Sequence, residues 1–177
     1  MSACEQERYR ALRATIRERG TARVWIFVIG VCVWASLTVA TAALQAPPIA
    51  TLLPLLVLAT TFEAVYALHV GVERIGRYLE VFFDDSWESA AMAFGRPAGA
   101  AAIDALFTAV FALAALINFT PVLVSQPAPQ ELIFIGGAHA LFVVRIVFAK
   151  VTASKQRTID RARFLELKQD RGAAERF

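Results

Sequence analysis

Residues 49–85 read IATLLPLLVLATTFEAVYALHVGVERIGRYLEVFFDD, and this stretch decides the fold. Its first half is apolar apart from Glu63 and His69, whereas its second half carries charges at helical spacing. No helix-stopping sequence separates the two halves. A helix needs about 20 apolar residues to cross the hydrocarbon core of a bilayer. The stretch therefore predicts one continuous helix that crosses a membrane and emerges into water with a charged stripe.

The composition of the chain predicts a polytopic membrane protein. Of its 177 residues, 58% are hydrophobic and 19% are charged. The charged residues concentrate near the termini and in one central segment, and apolar blocks of membrane-crossing length separate them. We therefore predict an all-α fold with four transmembrane helices, arranged as two hairpins, near residues 24–44, 49–72, 98–125 and 130–149.

The distribution of lysine and arginine predicts the orientation of these spans. Basic residues flank the ends at the two termini and in the segment between the second and third spans, whereas loops 45–48 and 125–131 contain none. The positive-inside rule then places the N- and C-termini in the cytoplasm of a multi-pass protein, in a bacterial-type inner membrane. We assign the formal net charge of +3 to contacts with anionic lipid head groups rather than with nucleic acid.

Three segments outside the transmembrane domain, which covers 23–150, are expected to be helical. Residues 1–22 predict an amphipathic helix, placed either on the inner leaflet or against the protein's own cytoplasmic helices, and the functional alternative is a helix that docks a partner. Residues 73–97 predict a cytoplasmic helical hairpin that breaks at Asp84–Asp85. The charged tail 151–177 predicts an extension of the fourth helix beside that of the second.

Ionisable and amide side chains within the apolar blocks are the candidate functional residues, because each needs a partner or a water-filled cavity in lipid. Their depths were compared by counting from the outer loops at about 1.5 Å per residue. Matching depths predict three pairs on different helices: Glu63 with Arg145, His69 with Asp104, and Asn118 with His139. Alternatives remain for this set. Arg145 is near enough to the inner head groups to snorkel, Asp104 is near enough to the interface to be hydrated, and His139 suits a neutral packing residue. Glu63 suits a structural ion pair as well as a functional pathway, and the partners of these residues could also belong to neighbouring subunits.

Motifs for cofactor or metal chemistry are missing from the sequence. His69 and Glu73 have a spacing that suits a metal, but neither span carries the Glu-x-x-His motif of di-metal bundles. No phosphate-binding loop or nucleophile elbow is present, and Cys4 and Cys32 are expected at different depths, which argues against a disulfide. We therefore expect no metal, no cofactor and no enzymatic activity.

Two classes of function remain open from the sequence. The first is a non-enzymatic scaffold or accessory subunit that oligomerises or joins a larger membrane complex, with Glu73, Arg77 and Glu80 as its partner surface. The second is a small ion or proton channel or transporter. Its path would use the intramembrane polar residues Glu63, His69, Asp104, Asn118, His139 and Arg145.

Overall fold

The computed structural model describes residues 2–85, 87, 90 and 98–174, with side chains at all of these except 98–107, 154 and 171–174. No described residue lies in a strand, so the predicted all-α class is confirmed for this part of the chain. The helices are α1 (Ala3–Ala43), α2 (Leu52–Phe83), α3 (Ala98–Val124) and α4 (Pro129–Ala174), with a 3-10 turn at Pro48–Thr51 before α2.

Three helices in the described part of the chain are long and apolar enough to cross a membrane, which indicates membrane association. They are Ala3–Ala43, Pro48–Phe83 and Pro129–Asp170. The remaining predicted span, 98–125, corresponds to α3, whose apolar stretch with described side chains, Thr108–Val124, is shorter. Large apolar side chains on α1, α3 and α4 are exposed on the outside of the bundle, as they are in helices that face lipid.

Helix α1 is unbroken, so the predicted amphipathic segment and the first predicted span form one helix. A capping box between Ser2 and Glu5 starts it, with each residue accepting a hydrogen bond from the backbone N–H of the other. Its N-terminal part packs against the end of α2. There, Tyr9 Oη donates to Asp85 Oδ2 at 2.8 Å, and the Tyr9 ring lies 5.6 Å from that of Phe83. Of the two predicted placements, the structure has the one against the protein's own helices.

Helix α2 continues through the charged stripe and ends where the sequence predicts a break. It runs without interruption to Phe83, and Asp84 then adopts a left-handed conformation with φ 48°. Asp85 Oδ1 accepts a hydrogen bond from the backbone N–H of Trp87 at 3.1 Å. The rest of the predicted hairpin falls on residues 86, 88, 89 and 91–97, which lie outside the described residues.

The contacts between α1 and α2 show that these two helices are antiparallel. Tyr9 and Asp85 are 76 residues apart, whereas Arg23 and His69, nearer the connecting turn, are 46 apart. A separation that falls steadily along the pair is what an antiparallel hairpin requires. The first predicted hairpin is therefore present.

The contacts between α2 and α4 show that these helices run parallel. Glu63 and Arg145 are 82 residues apart in the sequence. Glu73 and Arg157 lie nearer the C-terminal ends of the two helices and are 84 residues apart. A nearly constant separation means that the helices advance side by side. Helix α4 therefore accompanies α2 along its full length, and α2 packs against each of the other three helices.

One phenylalanine from each helix meets in the centre of the bundle. The Phe62 ring of α2 lies 5.2 Å from that of Phe111 on α3 and 6.0 Å from that of Phe142 on α4. The ring of Phe27 on α1 lies 5.8 Å from that of Phe111. These rings meet edge to face, the arrangement that aromatic quadrupoles favour, and Leu58 fills the space beside them with no exposed surface. We call the four phenylalanines, Phe27, Phe62, Phe111 and Phe142, the phenylalanine cluster.

A buried glycine of α1 packs directly against α2. Gly30 is buried, and a Cβ at this position would overlap the side chain of Thr61. Gly20, ten residues earlier on the same helix, has open space around it. A small residue at a helix crossing lets two backbones approach closely and gain dispersion contacts.

We predict that Gly30→Ala lowers the stability of the protein by about 1–3 kcal/mol, the usual effect of overpacking a filled interface. Gly20→Ala is the matched control, and it should leave stability unchanged or raise it slightly because alanine favours helix. Thermal unfolding of both variants in one detergent measures the difference. Equal melting temperatures for the two variants would show that the α1–α2 contact is looser than described.

Candidate functional site

The outermost polar group joins all four helical segments of the bundle. Asn118 of α3 is 1% exposed, and its Nδ2 donates to the backbone oxygen of Thr51 at 2.9 Å. The same nitrogen lies 3.0 Å from Nε2 of His139 on α4. The hydroxyl of Thr38 on α1, which is 2.8 Å from the backbone oxygen of Trp34, also lies 3.4 Å from Asn118 Oδ1. The predicted pairing of Asn118 with His139 is confirmed. Asn118 is therefore the central residue of the group.

The hydrogen bonds of this group determine the protonation state of His139. Its Nδ1 lies 2.9 Å from the backbone oxygen of Ile135, so Nδ1 carries the proton and donates. Nε2 then accepts from the Asn118 amide, and the ring is neutral. With both amide hydrogens of Asn118 and both nitrogens of His139 engaged, this group is a closed structural network.

Glu63 of α2 and Arg145 of α4 form the middle polar group. Arg145 Nε lies 2.7 Å from Glu63 Oε1, and Arg145 Nη2 lies 2.7 Å from Glu63 Oε2. This two-pronged geometry is the strong form of an arginine–carboxylate pair. The guanidinium carbon also lies 5.2 Å from the centre of the Tyr66 ring, whose hydroxyl donates to the backbone oxygen of Ala149. The predicted pairing of Glu63 with Arg145 is confirmed.

This ion pair lies on the outside of the bundle rather than within it. The side chains of Glu63 and Arg145 are 47% and 41% exposed, although both residues belong to apolar stretches. By contrast, the phenylalanine cluster just inside the pair is closely packed. The middle group therefore forms a polar patch, with a net charge of zero, on an otherwise apolar outer surface.

The innermost group is a chain of charges that joins α1, α2 and α4. Arg23 Nη1 lies 3.0 Å from Nδ1 of His69, and Nε2 of His69 lies 3.5 Å from Glu73 Oε1. Arg157 completes the chain with a two-pronged contact to Glu73, at 2.7 and 2.9 Å. Because Arg23 can only donate, Nδ1 of His69 accepts, and the ring proton lies on Nε2 facing the carboxylate.

The predicted pairing of His69 with Asp104 stays a prediction, because the side chain of Asp104 lies outside the part of the chain that the structure describes. The described partners of His69 are Arg23 and Glu73. The candidate ion-path residues with described side chains therefore fall into three groups, each with partners on neighbouring helices.

The residues predicted as a partner surface face α4 of the same chain. Glu73 pairs with Arg157, and Glu80 lies 3.2 Å from Arg161 and 3.6 Å from Arg77. The side chains of Arg77 and Glu80 are only 15% and 12% exposed, because the C-terminal part of α4 lies against them. Burial lowers the pKa of Arg77, and the carboxylates of Glu80 and Glu73 oppose this shift.

The sequence does not identify several members of these groups. Arg23 is one of the basic residues whose distribution predicts the orientation, and no pattern marks Thr38 as a neighbour of Asn118. The spacing of Arg157 in the sequence could predict its contact with Glu73. Arg157 follows Glu73 by 84 residues, nearly the 82 residues that separate Arg145 from Glu63, so both pairs are at matching heights on the same two helices.

No three histidine, cysteine, aspartate or glutamate side chains come together as a possible metal site in the part of the chain that the structure describes. Comparison of the chain with protein-family models, with curated proteins and with solved structures finds no match. The assignment of function therefore depends on the geometry of the three polar groups.

We predict that Asn118→Leu lowers stability by about 1–3 kcal/mol for each polar group left without a partner, here the Thr51 carbonyl and His139 Nε2. Leucine keeps the volume, so the loss reports the hydrogen bonds. Thr120→Val is the control, since Thr120 is exposed and bonds only within its own helix, to Leu116. Thermal unfolding in detergent compares them, and an Asn118→Leu variant as stable as the control would contradict a stabilising role for the network.

Proposed function

We propose that the chain is an integral membrane protein that crosses the bilayer four times, through α1 to α4, with both termini in the cytoplasm. We further propose that it is a non-enzymatic scaffold or accessory subunit of a membrane complex. The orientation is supported by the basic residues at the ends of the spans and by loops 45–48 and 125–131, which lack them.

The observation that carries this proposal is the exposed ion pair of Glu63 and Arg145. Charged groups at this depth are expensive to leave against lipid, and they normally face a bundle interior or a water-filled cavity. In a single copy of the chain, nearly half of each side chain is uncovered. A neighbouring protein surface that covers the pair removes this cost, so the pair supports assembly within the membrane.

The interior of the bundle gives little support to an ion path through one chain. The phenylalanine cluster lies between the Asn118–His139 group and the cytoplasmic half of the bundle, and its four rings leave Phe111 with no exposed surface. The Asn118–His139 group is itself closed by hydrogen bonds. Polar residues that are separated by packed rings stabilise a bundle but do not relay ions.

The cytoplasmic extensions of α2 and α4 also suit a scaffold. Helix α4 runs on from Lys150 to Ala174, about 36 Å at 1.5 Å per residue. Ion pairs tie it to α2 along this course, including Arg74 with Asp160 at 3.1 Å and Arg161 with Glu80 at 3.2 Å. Lys168 Nζ donates to the backbone oxygen of Val81 near the end of α2. A projection held in this way offers a rigid surface to cytoplasmic partners.

The proposed orientation predicts which positions react with a membrane-impermeant maleimide in intact cells. In a Cys32→Ala background, Cys4 should be labelled only after the cells are permeabilised, because it lies in the cytoplasm. In a Cys4→Ala, Cys32→Ala background, Gln45→Cys in the first outer loop should be labelled without permeabilisation. The reverse labelling pattern would show that the topology is inverted. Labelling of both positions in intact cells would place both ends of α1 outside the cell and would contradict a membrane crossing by α1.

The proposed scaffold role predicts no ion flux. Wild-type protein, Glu63→Gln and Glu166→Gln are each reconstituted into vesicles that contain a pH-sensitive dye, with a pH gradient and a potassium diffusion potential. All three should match empty vesicles. Glu166 is an exposed residue of the α4 extension and serves as the control. Flux through wild type and Glu166→Gln that is lost in Glu63→Gln would overturn the scaffold in favour of a channel or transporter.

A further inference from the structure

We propose that the protein surface covering the exposed ion pair is a second copy of this chain, with Glu63 of each copy facing Arg145 of the other. This inference rests on the proposed membrane topology and on assembly as the role of the chain. It adds the identity of the partner and the face that it occupies.

The exposed face of α2 has the spacing of a helix-packing seam. Leu53, Leu56, Thr60, Glu63 and Ala67 are all exposed, and they follow one another at intervals of three and four residues. This alternation repeats every seven residues, which keeps a stripe turned towards a single partner helix over several turns. The stripe covers 15 residues, and its first and last residues are about 21 Å apart along the helix, so it extends through most of a bilayer core.

The neighbouring face of α4 continues this surface around the ion pair. Leu141 and Phe148 lie four residues before and three residues after Arg145, so all three share one side of the helix. The two apolar residues are 71% and 64% exposed. We define the docking face as the α2 stripe from Leu53 to Ala67 together with Leu141, Arg145 and Phe148 of α4. It has one acidic and one basic residue surrounded by apolar and small side chains.

Charge complementarity identifies a second copy as the occupant. Glu63 and Arg145 are at the same depth, because they contact each other within the chain. Two copies with the same orientation in a membrane are related by a two-fold axis along the membrane normal, and such an interface brings the same patch together from both sides. The axis therefore places each carboxylate opposite a guanidinium at its own height. A different partner would need an independent pair of opposite charges at that depth.

Residues beside the charges allow the two copies to approach closely. Thr60 and Ala67 flank Glu63 by one turn on either side of the stripe, and both have small side chains. Small residues at a membrane helix interface let the backbones approach, and threonine hydroxyls contribute hydrogen bonds across it. The four charges of two copies would then alternate in sign around the axis, shielded from lipid by the apolar residues of the docking face.

The first experiment is disulfide cross-linking in native membranes. Cys4 and Cys32 are replaced by alanine, and Thr60→Cys places a thiol on the seam. Val39→Cys is the matched control, because Val39 is exposed and belongs to α1, which contributes no residue to the docking face. Oxidation with copper phenanthroline should convert Thr60→Cys to a covalent dimer of this chain several-fold more completely than Val39→Cys. Equal and low cross-linking would overturn the second-copy interface.

The second experiment uses charge reversal in differently tagged copies that are expressed together. Glu63→Arg alone places arginine at both positions 63 and 145, and Arg145→Glu alone places glutamate at both. Two copies of the same single variant would bring like charges together, so each single variant should fail to capture a second copy of itself. A mixed pair of these variants restores opposite charges only between copies. Recovery of cross-capture in the mixed pair to near the wild-type level is the expected result. If the Glu63→Arg, Arg145→Glu double variant recovers while the mixed pair does not, the charges pair only within the chain, and the proposal is wrong.

These outcomes separate the second-copy proposal from the proposed function. Absent cross-linking together with absent ion flux would reject the second copy while leaving the scaffold role in place. A Thr60→Cys adduct with a protein of another mass would likewise reject the second copy and point to a different subunit. Flux that depends on Glu63, in a protein that still cross-links to itself, would reject the scaffold role while the dimer interface remained.

Discussion

The fold depends on one constraint: polar groups within an apolar helix bundle must find their partners inside the protein. α2 contributes Glu63, His69 and Glu73, and each of them contacts at least one neighbouring helix. Asn118 does the same for the outer end of the bundle, where it contacts the turn before α2 and the helices α1 and α4. Apolar packing alone provides weak orientation between helices in lipid, because lipid tails are as apolar as leucine. The polar contacts therefore determine which helix faces lie together.

The three polar groups differ in how completely they are closed, and the proposal of assembly rather than transport rests on this difference. The outer group is buried and satisfied by its own hydrogen bonds, whereas the innermost group and the ion pairs beyond it hold α4 along α2. Only the Glu63–Arg145 pair combines an apolar setting with a large exposed fraction. A residual polar surface at this depth is stabilised when another protein covers it. In the proposed assembly, the pair would link the stability of a single bundle to its association with a neighbour.

Two of the polar pairs are predictable from the sequence because helices joined by short loops convert residue number directly into height. Glu63 with Arg145 and Asn118 with His139 are these pairs. Height alone does not predict which helices are neighbours, so the sequence does not predict the contact of His69 with Arg23 on α1. The predicted break at Asp84–Asp85 was correct because two successive aspartates after an apolar face end a helix by local chemistry alone.

The sequence by itself determined the helical class, the existence of membrane-length helices and the unbroken course of residues 52–83, because periodicity, apolar length and helix-stopping residues are local properties. Only the tertiary structure decided the rotation of each helix about its axis. That rotation turned Glu63 and Arg145 outward and placed Glu80 against the C-terminal part of α4, although both carboxylates belong to one continuous helix. Rotation depends on the packing of side chains from distant parts of the chain, such as the four rings of the phenylalanine cluster, and no single stretch of sequence contains that information.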